Sequence, residues 1–75
     1  MRVLKEFLFA DGIKASLFSW NGKYILKLES GLLEQTYKVP ETEISGLDEL
    51  EEWYSSEEFR TGAKSVFLTM AEISL

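Results

Sequence analysis

Three dipeptides, Asp11-Gly12, Asn21-Gly22 and Ser30-Gly31, recur ten and nine residues apart and constrain the first half of this 75-residue chain more than any other feature. A two-residue type I′ turn needs positive φ at both central positions. Asp-Gly and Asn-Gly are therefore the strongest short hairpin signals, and Ser-Gly is a weaker one that also suits a longer loop. Between the turns lie Arg2–Ala10, Ile13–Trp20, Lys23–Ser30 and Leu32–Val39, each of strand length and rich in β-branched and aromatic residues. Pro40 cannot donate to a continuing ladder and closes the series. The pattern predicts a four-stranded antiparallel meander.

Beyond Pro40 the spacing changes. Ser45-Gly46-Leu47-Asp48 resembles a capping box with Asp in the third place. Leu47, Leu50, Trp53 and Tyr54 then recur at helical spacing, with Asp48, Glu49, Glu51 and Glu52 on the other side, which predicts a short helix over residues 47–54. Trp53 is the expected anchor of that helix on the sheet. Ser55 and Glu58 have full capping-box spacing. After them Phe59, Ala63, Val66, Phe67, Met70 and Ile73 share one helical face, with Leu68 as the exception. Gly62 costs about 1 kcal/mol against alanine inside a helix. A rival assignment makes Lys64–Ile73 a fifth strand after a turn at Thr61-Gly62, but alternation fits that stretch poorly. The expected fold is α+β, in ββββαα order with ββββαβ as the fallback. It forms a single small domain over residues 1–75, a β-meander over 1–40 followed by a helical half over 41–75.

Composition removes many chemistries. The chain has no cysteine and no histidine, so disulfides, thiolate or imidazole metal ligands, cysteine nucleophiles and Ser-His relays are all excluded. No catalytic, cofactor-binding or metal-binding residue is expected. The net charge of −5 divides into +2 over residues 1–40 and −7 over residues 41–75. An acidic domain disfavours generic nucleic-acid binding. Lys5 and Glu6 interrupt the apolar start that a signal peptide would need. No uncharged run approaches the roughly 18–20 residues of a membrane span, so a cytoplasmic location without membrane partners is expected.

If all three turns are two-residue loops, the register is fixed. Leu17, Leu26 and Gln35 then align, as do Leu8, Ala15, Leu28 and Leu33, and as do Leu4, Ser19, Tyr24 and Tyr37. With Ile13 and Val39 these make the core face, on which Glu6 and Gln35 are polar intrusions. The opposite face presents Val3, Phe7, Phe9, Phe18, Trp20 and Ile25 among Lys5, Lys14, Lys23, Lys27 and Lys38, which are all the lysines before Pro40. Glu29 and Glu34 can pair there with Lys14 and Lys27.

Four aromatics on an outward face exceed ordinary scattered exposure. The longer helix could cover them, a second copy or a protein partner could dock there, or a ligand could bind. The candidate interaction face is Val3, Lys5, Phe7, Phe9, Phe18, Trp20, Lys23, Ile25 and Lys27. The leading expectation is a small intracellular interaction module, as a homodimer or with a protein partner, acting through this face and through the first and last strands as open edges. Single-stranded nucleic acid or another anionic ligand on the same rings and ammonium groups is the alternative. A carboxylate enzyme is the remote third class, with Glu6 as its acid. The acid cluster at residues 48–58 lacks a calcium-loop pattern and fits helix N-termini and a solvated face.

Overall fold

The computed structural model describes residues 2–10 and 12–73. Asp11 and the side chain of Ile73, both used in the sequence reading, lie outside the described residues. Strands β1 (Arg2–Ala10), β2 (Ile13–Trp20), β3 (Lys23–Ser30) and β4 (Leu33–Pro40) form one antiparallel sheet in sequential order. A 3₁₀ turn over Glu41–Glu43 leads to α1 (Leu47–Ser55) and α2 (Glu57–Ile73). The order is ββββαα, and residues 64–73 are helical.

The second hairpin turn has φ of 53° at Asn21 and 76° at Gly22, the two positive angles that a type I′ turn requires. The third turn differs from its expected form. Ser30 pairs with Leu33, so the central residues are Gly31 and Leu32. Gly31 carries a positive φ of 60°, as the first central position of a type II′ turn demands. The shift moves the β3–β4 register by two residues, so that Leu26 faces Tyr37, Leu28 faces Gln35 and Tyr24 faces Val39. Because two is the side-chain period, every β4 side chain keeps its expected face.

Strand β1 departs further. Its register against β2 shifts between Leu8 and Ala10 and again between Val3 and Lys5. Each shift is a β-bulge, and each inverts the facing of the residues beyond it. Phe7 therefore pairs with Ala15 on the core side, and Leu8 pairs with Lys14 on the outer side. Phe9 and Ala10 are both buried, whereas Leu8 is 69% exposed. Glu6, expected to face the core, is exposed beside Ser16.

Both helices pack on one face of the sheet. Leu50 and Tyr54 of α1 and Ala63 and Phe67 of α2 join Ala15, Leu17, Leu26 and Leu28 in one core. The architecture is two-layered, and α2 does not cover the opposite face. Aromatic contacts bind the layers: Phe7 stacks on Tyr54 at 5.2 Å, and Phe9 meets the edge of Phe59 at 5.8 Å. Trp53 packs 4.5 Å from Phe59 and 5.9 Å from Tyr37, as an anchor of α1 should. Buried Gln35 donates from Nε2 to the Ala63 carbonyl at 2.9 Å, and its Oε1 accepts from the Tyr37 hydroxyl. Both helices lie a little differently from their apolar patterns, for Leu47 of α1 and Val66 of α2 are solvent-exposed.

The caps fall one residue later than their sequence signals. Gly46 is the N-cap of α1, and Glu49 reaches back to accept from the Ser45 N–H at 2.8 Å and Oγ at 2.7 Å. Ser56, not Ser55, caps α2: its Oγ accepts from the Phe59 N–H at 3.2 Å and donates to the Trp53 carbonyl at 2.8 Å.

Candidate interaction face

The sheet face away from the helices is built from residues that alternate with the core positions. The structure brings Val3, Phe18, Trp20, Lys23, Ile25 and Lys27 together on it. Three expected members are elsewhere. Phe7 and Phe9 belong to the helix-side core, moved there by the bulge at Phe9. Lys5 pairs with Leu17 on that same side, and its Nζ lies 5.2 Å from the Phe7 ring centroid. The outer lysines before Pro40 are thus Lys14, Lys23, Lys27 and Lys38. Leu8 takes the place of the two phenylalanines. Its signal was present in the sequence: Phe7-Leu8-Phe9-Ala10 is an unbroken apolar run, which period-two alternation cannot satisfy without a bulge.

Rows across the register divide this face into two ends. One row runs Val3, Phe18, Ile25, Lys38, and beside it Trp20 pairs with Lys23 and Lys23 with Pro40. These rows contain no carboxylate. Val3 and Trp20 are 53% and 46% exposed, while Ile25 is buried although no helix covers it. The Lys23 ammonium lies 5.9 Å from the Trp20 ring centroid, within cation–π range. The other end carries Glu6, Leu8, Lys14, Glu29 and Glu34, and Lys27 lies 4.0 Å from Glu29 and 3.5 Å from Glu34. Acids thus collect at one end, and aromatic and apolar residues with two lysines at the other.

Of the grooves on the helix side, two are lined mainly by apolar residues. The larger, about 420 Å³, lies between α2 and the ends of β2 and β4, with Lys64 as its charged residue. The second, about 350 Å³, brings Glu43 and Glu49 beside Ile44 and Trp53. A pair of carboxylates in a groove is the minimum for acid–base chemistry. Here Glu49 is already the acceptor of the Ser45 side-chain and backbone hydrogen bonds, which hold its carboxyl below the ordinary range. Both carboxylates are exposed, and the pair lacks the desolvated acid that such chemistry uses. Among the described residues no group of three or more potential ligands gathers to hold a metal, and no helix is long and apolar enough to cross a membrane. No family model, curated protein or solved structure matches the chain.

Proposed function

We propose that this protein is a small interaction module that docks an acidic polypeptide bearing aromatic or aliphatic side chains on the outer face of its sheet. The observation that carries this reading is the carboxylate-free end of that face, where Val3, Phe18 and Trp20 on β1 and β2 stand beside Lys23 and Lys38 on β3 and β4 with no helix over them. An apolar patch with cationic groups at its margin suits a partner segment that offers apolar anchors flanked by Asp or Glu. Lys23 over Trp20 preorganises both side chains for such a contact. The face is less suited to a nucleic-acid backbone, because Glu6, Glu29 and Glu34 lie on its other end and would repel a phosphate track.

Panning a random peptide library on the immobilised full chain tests the reading. Enriched sequences are expected to combine acids with aromatic or aliphatic residues, and Trp20→Glu and Lys23→Glu are each expected to abolish their capture. Absence of enrichment, selection of basic sequences, or capture unaffected by both variants would overturn it. So would salt-sensitive binding of a fluorescent oligothymidylate to the same face, which would favour the nucleic-acid alternative.

A further inference from the structure

We propose that β4 is a dimerisation edge, pairing antiparallel with β4 of a second copy of this chain about a two-fold axis at Thr36. The backbone is in phase for it. Glu41 donates its N–H to the Gly22 carbonyl at 3.0 Å, extending the register in which Lys23 faces Pro40. Hydrogen-bonded and non-bonded pairs alternate along an antiparallel ladder. Leu33, Gln35, Tyr37 and Val39 therefore turn their N–H and C=O groups toward β3, while Glu34, Thr36 and Lys38 turn theirs out of the sheet. The open row ends at Pro40, which has no N–H to leave unpaired.

The side chains select the axis. With the two-fold at Thr36, Glu34 faces Lys38 of the second copy and Lys38 faces its Glu34, an opposite-charge pair made twice. Axes at Gln35 or Tyr37 leave both charges opposite uncharged residues. Glu34, Thr36 and Lys38 are all exposed, and Lys38 makes no ion pair among the described residues. Lys27, 3.5 Å from Glu34, stays beside the new pair. On the helix side Leu33 meets Val39 of the second copy, and Gln35 meets its Tyr37. Leu32, 103% exposed at the preceding turn, is brought opposite Pro40 of the second copy. The other edge is unfit for this. Its register shifts at Val3–Lys5 and Leu8–Ala10 break the outward row, as bulges that protect an edge do. The inference is independent of what binds the outer face, and dimerisation would join the two outer faces into one continuous sheet.

Sedimentation and light scattering of the full chain test it. At a concentration on the order of 100 µM, suited to a small polar interface, the wild-type chain is expected at twice its 8.6 kDa mass. Glu34→Lys and Lys38→Glu are each expected to weaken dimerisation about tenfold, with far-UV circular dichroism unchanged because both side chains are exposed. An equimolar mixture of the two variants is expected to recover wild-type association, since every lysine then meets a carboxylate. Trp20→Glu, outside the edge, is expected to leave the dimer intact. A wild-type monomer, a dimer indifferent to either charge reversal, a mixture no stronger than its components, or a dimer dissociated by Trp20→Glu would each overturn the proposal. None of these results bears on peptide capture by the outer face.

Discussion

Arg60 donates from Nη2 to the Phe9 carbonyl at 3.1 Å, joining α2 to the bulge in β1 across 51 positions of sequence. Its guanidinium carbon also lies 5.7 Å from the Phe9 ring centroid. A bulge residue is left out of the ladder, so this donor supplies a partner that the neighbouring strand does not. The same contact holds α2 where Phe59 meets the Phe9 ring edge.

Replacing Arg60 with methionine keeps much of the apolar stem but removes the donor and the cation. The expected loss is about 1–2 kcal/mol, the range for a charged hydrogen bond and a cation–π contact discounted for partial exposure. Urea unfolding should show a lower midpoint with an unchanged slope. An unaltered midpoint would show that the bulge carbonyl needs no protein donor.

How far the sequence foretold this arrangement depends on the element. Asn21-Gly22 specified its turn because only a residue tolerant of left-handed backbone, followed by glycine, fits there. Pro40 and the capping serines marked element ends to within about one residue, the usual looseness of such boundaries. A two-residue loop at Gly12 extended along all of β1 puts Phe7 and Phe9 on the outer face, but strict alternation holds only while no residue is inserted. The apolar run Phe7–Ala10 announced the insertion; the preference of two aromatics for the core decided it. The helical spacing identifies Trp53 as an anchor, but its half-buried position between Tyr37 and Phe59 comes from tertiary packing. That α2 lies beside α1, leaving the outer face bare, is likewise a tertiary outcome: the amphipathic pattern of α2 gives it a buried side but does not say against which sheet face.

Among the described residues Gln35 is the one buried polar residue, and it is satisfied from both ends by Ala63 and Tyr37. Gln35→Ala should cost about 2–3 kcal/mol, combining a lost hydrogen bond, a small cavity and a Tyr37 hydroxyl without its acceptor. Tyr37→Phe should cost less, about 1 kcal/mol. In the double variant the costs should fall short of their sum, because the second change removes the group that the first left unpaired. Thermal and urea unfolding of the four proteins measure this coupling, and strict additivity would contradict the shared network.

Gly62 lies on the exposed side of α2, and a Cβ built on it meets no atom within 4 Å. Its backbone is helical, so alanine enters without strain and reduces the freedom of the unfolded chain. Gly62→Ala should raise stability by about 1 kcal/mol. A change in melting temperature of zero or of the opposite sign would indicate a role for glycine that the helix geometry does not reveal.

Burial raises the phenol pKa of Tyr37 and of Tyr54 above the ordinary 10.0, with the Glu51 carboxylate adding to the effect at Tyr54. A raised folded-state pKa gives stability that is complete below pH 10.0 and is lost as pH rises toward the folded values. Alkaline titration should therefore lower the melting temperature from about pH 10 upward. The absorbance of tyrosinate from Tyr37 and Tyr54 should develop above pH 10.0, in step with that fall. Tyr37→Phe should flatten part of the alkaline fall.

The acid limb depends on Glu49, whose carboxyl is held below its ordinary 4.5 by the Ser45 hydroxyl and N–H that it accepts from. A lowered folded-state pKa contributes stability above the unfolded value and loses it as pH falls toward the folded one. Protonation also removes a negative charge from the first turn of α1, where the helix dipole favours it. Melting temperature should thus decline as pH drops below about 4.5, and Glu49→Gln should make that decline shallower while lowering stability at pH 7. Ser45→Ala should act in the same direction by removing the hydroxyl donor but sparing the backbone one, so its effect should be the smaller. Parallel acid titrations of the three proteins, followed by circular dichroism, check the order; a wild-type acid limb reproduced by Glu49→Gln would place the proton uptake on other carboxylates.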